Sequence, residues 1–156
     1  MESSSTAATM TTTTHELWER GRKIMGSDFV GVFPLDKLPQ LSTLTAGKAL
    51  IVNTDSSNLP GRHWIAVYVK PHVLEVFDPF GAIAYPHLLI ARLHMDPRRR
   101  VAYNRMGIQE PTSKACGQHC LRWIESVSVY VCVYVSFFFL NAFFLPFRPT
   151  INTERR

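Results

Sequence analysis

Between Trp64 and Phe77 the chain consists of two short runs of β-branched and aromatic residues, Trp64-Ile65-Ala66-Val67-Tyr68-Val69 and Val73-Leu74-Glu75-Val76-Phe77, separated by Lys70-Pro71-His72. Two such runs around a proline predict a β-hairpin. With the turn centred on Lys70-Pro71, Ile65 opposes Val76, Val67 opposes Leu74 and His63 opposes Asp78. Ile65, Val67, Leu74 and Val76 then form one continuous apolar face, and Glu75 falls on the other. Paired residues lie about 5 Å apart with their side chains on one face. A three-residue loop would shift the pairing by one, and Pro71 is awkward in the second turn position. The closeness of His63 to Asp78 survives such shifts.

Elsewhere the pattern is helical. His15 to Met25 mixes apolar and charged residues, with Leu17, Trp18 and Ile24 as the expected buried side. Gln109 to Ala115 has no apolar period and contains Pro111, so it reads as a loop. After it, Cys116, Cys120 and Trp123 or Ile124 fall on one helical stripe, which predicts a helix starting at Cys116. The first fourteen residues are rich in Ser and Thr and are expected to be disordered; they lack the apolar core of a signal peptide.

The run from Val127 to Phe147 carries no charge and is long enough to cross a bilayer. As a membrane segment it would place Arg148, Arg155 and Arg156 in the cytoplasm. Its alternation of Val with Tyr, Cys and Ser is strand-like at first and then gives way to a Phe run, so neither period holds. The codons suggest another hypothesis. Alternating Val, Cys and Tyr is what a GT-rich tract encodes, Val127-Ser128 can be written with a GTGAGT splice donor, and Phe runs come from pyrimidine tracts. A translated intron, a membrane segment, and a buried strand plus helix are the three readings of residues 127–156. Spliced transcripts sequenced across the Ser126 codon separate them, since uninterrupted exon support through Arg156 would sink the intron reading.

At 156 residues one domain is expected, spanning 15–126. Three cysteines without framework spacing point to a reducing compartment, cytoplasmic or nuclear. The net charge of +5 favours acidic partners, and its densest piece contains Arg98-Arg99-Arg100. A basic run by itself is usually a solvated face.

Four residues carry candidate chemistry: His63, Asp78, Gln109 and Cys116. A thiol becomes a strong nucleophile at neutral pH when an imidazole takes its proton, a carboxylate orients that imidazole, and donors await the oxyanion. Cys116 stands at the predicted helix N-terminus, where the macrodipole favours a thiolate. Gly117 leaves its amide unobstructed beside the thiol, and Gln109 can donate from the loop. Zinc is the rival chemistry, through Cys116, His119 and Cys120. It normally needs a second ligand pair downstream, and the only later cysteine, Cys132, has no histidine near it. No metal and no cofactor are therefore expected.

The chain resembles the adenovirus protease (adenain) family and its relatives in large DNA transposons and viruses. The resemblance runs from about Phe29 to Cys120 and rests on Phe29-Val30-Gly31-Val32-Phe33, Ala49-Leu50-Ile51-Val52-Asn53-Thr54, His63-Trp64, Phe77-Asp78-Pro79-Phe80-Gly81, and Gln109 seven residues before Cys116-Gly117. It implies an α+β, papain-like cysteine protease with a central antiparallel sheet and a nucleophile-bearing helix. In it, His63 is the base, Asp78 its acidic partner, Gln109 the oxyanion residue and Cys116 the nucleophile. Asp78 stands where adenain uses a glutamate. The fold resembles that of SUMO-deconjugating proteases, and both groups favour cleavage after glycine. Trp64 would then wall a cleft that admits only glycine beside the scissile bond, and the substrate would be a viral or transposon polyprotein. The family also binds DNA, which makes Arg98, Arg99 and Arg100 a candidate patch.

The chain departs from adenain in lacking a tethering cysteine near Arg98-Arg99-Arg100, in a shorter stretch between Gly81 and Gln109, and in its C-terminal part, which is expected to be truncated or aberrant. Two other functions follow from the same residues. One is a ubiquitin-like-modifier deconjugase, whose members more usually carry Asp where Ala115 stands. The other is a non-catalytic remnant that binds peptide or DNA.

Overall fold

A computed structural model of the chain describes residues 12–81, 87–93 and 96–142, with the backbone alone at 87, 88, 90 and 130–142. It is α+β, with one five-stranded mixed sheet. In spatial order the strands are β1 (Phe29–Pro34), β2 (Ala49–Asn53), β3 (Trp64–Val69), β4 (Val73–Phe77) and β5 (Arg100–Tyr103). The central strand β3 pairs antiparallel with both β2 and β4, while β1 and β5 join in parallel at the two sides.

The predicted hairpin forms with β3 and β4 bounded as expected, but its register lies two residues along. Val67 pairs with Val76 and Val69 with Leu74, and the Lys70 amide donates to the Val73 carbonyl at 2.8 Å. The turn is therefore centred on Pro71-His72. The reason is the proline itself, whose fixed φ suits the first turn position and not the second. A slip of two leaves every side chain on its original face. Ile65, Val67, Leu74 and Val76 accordingly still share one core cluster.

Both faces of the sheet are covered. On one, Leu50, Val52, Ile65, Val67 and Leu74 meet Leu35, Leu38 and Leu41 of the β1–β2 connection and Leu89 and Leu93 of α2 (His87–Leu93). On the other, Ala49, Ile51, Trp64, Ala66 and Phe77 meet Leu17 of α1 (Thr14–Met25) and Cys120, Leu121 and Ile124 of α3 (Cys116–Ala142). Every residue of β2 and β3 is buried, and each fully buried Val, Leu or Ile side chain contributes about 1.5–3 kcal/mol.

Helix α1 starts with a reciprocal cap. The Glu16 amide donates to Thr13 Oγ1 at 3.2 Å, and the Thr13 amide donates to Glu16 Oε2 at 2.8 Å. Residues 12–14, which composition assigns to a disordered arm, are thus part of the helix start, and Thr12 is buried. Residues 1–11 lie outside the described residues. The buried side of α1 is Leu17 and Gly21, with Ile24 partly covered. Trp18, expected inside, is 47% exposed. Gly21 takes the inward position because the Phe29 ring occupies the space that a Cβ would need, which leaves Trp18 outside that stripe with Arg22 6.0 Å above its ring.

Helix α3 continues through the Val/Tyr alternation to Ala142, where a buried strand plus helix is one of the three expectations. Once nucleated, adding a residue to a helix is far easier than starting a new element. Among the described residues, no helix is long and apolar enough to cross a membrane. The rest of the apolar run, 143–147, lies outside them.

The arginine triplet is not a uniform solvated face. The Arg99 side chain is only 8% exposed, with its guanidinium donating to Asp96 Oδ2 at 2.8 Å and to the carbonyls of Lys70, Leu41 and Leu44. Arg98 pairs with Asp96 Oδ1 at 3.0 Å and also reaches the Ser42 carbonyl. The Arg98 hydrogen bond holds the Asp96 carboxyl down at about 2. This cluster ties the β4–β5 connection to the hairpin turn and to the β1–β2 connection.

Candidate active site

His63 immediately precedes β3 and Asp78 immediately follows β4, so both stand where strand pairing has just ended. In the observed register His63 does not lie squarely opposite Asp78. Its ring stacks instead on Phe80, with centroids 4.8 Å apart, and the Asp78 carboxylate reaches across to it. His63 Nε2 lies 2.7 Å from Asp78 Oδ1, which also accepts the Phe80 amide at 2.9 Å. Asp78 is 1% exposed. With Nε2 committed to the carboxylate, Nδ1 is left buried with no hydrogen-bond partner among the described residues, and Cys116 is near enough to raise the ring's basicity.

Cys116 is the first residue of α3, as its stripe predicted. Gly117 follows for a packing reason as well as a chemical one: a Cβ there would stand 2.9 Å from Leu17 and 3.2 Å from Thr12, so only glycine lets α1 close over the start of α3. Cys120, one turn on, is fully buried and donates its thiol to the Trp64 carbonyl at 3.4 Å, fixing α3 to the start of β3. Burial raises the Cys120 thiol well above its ordinary range. It is an inert structural cysteine, and both described cysteines are free.

The two groups that face each other shift in complementary directions. Burial pushes the Cys116 thiol up, but the hydrogen bond to His63, the Trp64 amide, the imidazolium charge and the Gly117 amide bring it below its ordinary value. Burial likewise pushes His63 down, and the Asp78 carboxylate and the Cys116 sulfur outweigh it, leaving the ring at about 9. Each group thus favours the charged form of the other, biasing the pair toward thiolate and imidazolium.

Cys116 opens on a cavity of about 320 Å³ lined by Gly61, Arg62, Trp64, Phe80, Gln109, Ser113 and Lys114. Gln109 thus lies in the wall beside the thiol. Its Nε2 donates to the Ser113 carbonyl at 2.7 Å, and its Oε1 is buried without a partner. The nitrogen keeps its second hydrogen, and the Ser113 bond fixes which way the amide faces. Trp64 and Gly61 also border a second cavity of about 210 Å³ with Phe33, Pro34 and Leu59, which extends the cleft past the indole. His119, third member of the conceivable zinc set, is shifted down by burial and by the Arg122 charge. Among the described residues, no three His, Cys, Asp or Glu side chains are grouped to hold a metal.

All five singled-out residues, His63, Trp64, Asp78, Gln109 and Cys116, are therefore brought to one place. Sequence reading assigned no role to Phe80, Ser113 or Asn104. Phe80 lay in plain view within Asp78-Pro79-Phe80-Gly81. Asn104 gives no signal beyond following a short apolar run.

No protein-family model matches the chain. It is similar to the protease of porcine adenovirus A serotype 3, at 30% identity over 137 aligned residues that cover 78% of this chain and 66% of that protease. The chain thus spans a little under two thirds of the relative's length. The α+β fold described above is consistent with a relationship to adenovirus proteases.

Proposed function

We propose that the chain is a cysteine peptidase of the adenovirus-protease kind, with Cys116 as nucleophile. The observation that supports it most is the His63 ring bonded to the buried Asp78 carboxylate at 2.7 Å, with Cys116 as the other group that raises it. The Cys116 thiolate attacks the scissile carbonyl carbon. The resulting oxyanion accepts hydrogen bonds from the free amides at the start of α3 and from the spare hydrogen of Gln109 Nε2. His63 Nδ1–H passes its proton to the leaving amine as the C–N bond breaks, leaving a thioester on Cys116. Water, deprotonated by His63, attacks the thioester and releases the acid and the thiolate. Asp78 holds the ring in one orientation throughout.

The substrate we infer is an extended protein segment with glycine before the scissile bond. Trp64 supports this, since it lines the cavity at Cys116. The test is hydrolysis of fluorogenic peptides by the full chain. Release after Gly-Gly should exceed release after Gly-Leu by at least about tenfold, corresponding to roughly 1.4 kcal/mol in the transition state. It should vanish in Cys116→Ser and His63→Ala. Equal turnover of the two peptides would refute the glycine preference, and turnover that persists in Cys116→Ser would refute the nucleophile.

A further inference from the structure

The Asp78–Gly81 turn serves both halves of the site at once. Its Asp78 carboxylate holds His63, while the Pro79 carbonyl accepts the amides of Ile108 at 2.8 Å and Gln109 at 3.0 Å, fixing the backbone of the oxyanion residue. The turn has no room to shift against residues 104–109. A Cβ on Gly81, at φ +86°, would lie 2.8 Å from the Gly107 nitrogen, and one on Gly107 would lie 2.5 Å from the Phe80 oxygen.

What holds this turn is Asn104. The β4–β5 ladder ends at Val76 and Tyr103, which leaves the Asp78 amide and carbonyl beyond regular pairing. The Asn104 side chain takes over. Its Oδ1 accepts the Asp78 amide at 2.8 Å, and its Nδ2 donates to the Asp78 carbonyl at 2.7 Å and to the Met106 carbonyl at 3.0 Å. A primary amide has the donor and acceptor geometry of a peptide group, so it extends the ladder. No other uncharged side chain of that length both accepts and donates in this way.

We propose that Asn104 is a positioning residue, which sets the Asp78 carboxylate against His63 and thereby governs the reactivity of Cys116. The inference rests on the peptidase reading for its purpose, but its test needs no substrate. Alkylation of Cys116 by iodoacetamide in the full chain, followed by mass mapping, is measured against pH for wild type, Asn104→Ala, Asn104→Ser and Val101→Ala. Val101→Ala loosens β5 on the opposite face, away from the site. In wild type the reaction should persist well below the range of an ordinary thiol. In Asn104→Ala the acidic inflection should rise by about one pH unit, read as roughly tenfold slower alkylation at pH 6. Asn104→Ser should fall between the two, and Val101→Ala should match wild type.

An unchanged profile in Asn104→Ala would overturn the proposal. So would an equal shift in Val101→Ala, which would mark a general loosening. If neither Asn104 variant folds, Asn104 belongs to the fold and the proposal falls. If Cys116 of wild type reacts only as an ordinary thiol, the peptidase reading fails first and Asn104 has nothing to position.

Discussion

Replacing Asp78 by Asn tests the electrostatics of the site with almost no change in shape. His63 titrates at about 9 against an ordinary value of 6.5. That difference corresponds to about 3 kcal/mol in favour of the charged ring. It is achieved against burial, since the His63 side chain is only 17% exposed. An amide at position 78 can still contact Nε2 but supplies no charge, so the ring should titrate well below 9, with only Cys116 left to oppose burial. Because the folded value is raised, the stabilisation from His63 is complete below about 6.5 and is lost as pH rises through about 9. Cys116 drifts the other way: its folded value is lowered, so its contribution is present above the ordinary thiol range and is lost as pH falls through the lowered value. The assay is a ¹³C-edited NMR titration of the His63 ring, assigned with His63→Gln, in wild type and Asp78→Asn. An inflection near 9 that persists in Asp78→Asn would refute the reasoning, as would a wild-type inflection at 6.5.

Peptide hydrolysis should follow a bell-shaped pH profile whose alkaline limb lies near 9, where His63 loses the proton it must deliver; a rate still rising past pH 10 would contradict this. Leu17→Ala should cost about 2–5 kcal/mol in denaturant unfolding because Leu17 is fully buried, while Trp18→Ala should cost under about 1 kcal/mol. The reverse order would show that α1 is rotated from the orientation described. If the arginine triplet contacts DNA, the contact falls to Arg98 and Arg100. A double Ala substitution there should flatten the salt dependence of binding, and Arg99→Ala should instead lower the melting temperature. Gly107→Ala should slow Cys116 alkylation, since the added methyl displaces Phe80 and the turn behind His63; an alkylation rate equal to wild type would count against that coupling.

How much of this was legible in the sequence depended on the range of the interaction. The ends of β3 and β4 and the helix start at Cys116 are local patterns and read correctly. The hairpin register did not, because a slip of two keeps Ile65, Val67, Leu74 and Val76 on one face, and only the placement of Pro71 separates the choices. Trp18 departs from the expected inward side for a long-range reason: the Phe29 ring fills the space beside α1, and Gly21 takes the inward position. Arg99 reads as surface charge until Asp96 and three backbone carbonyls arrive from elsewhere in the chain. Asn104 bonds to backbone, and backbone partners leave no side-chain pattern to find. The four candidate residues stand out in the sequence because the proposed chemistry restricts the residue types that can serve, and the structure places them near one another.

The central claim is that Cys116 is a nucleophile activated by His63, and its most direct measurement is covalent capture. The full chain is incubated with a peptide vinyl sulfone ending in glycine, and the adduct is located by mass mapping. A single adduct on Cys116, at least about tenfold slower to form in His63→Ala, is the expected result. An unmodified Cys116 in folded protein, or labelling that proceeds equally in His63→Ala, would contradict it.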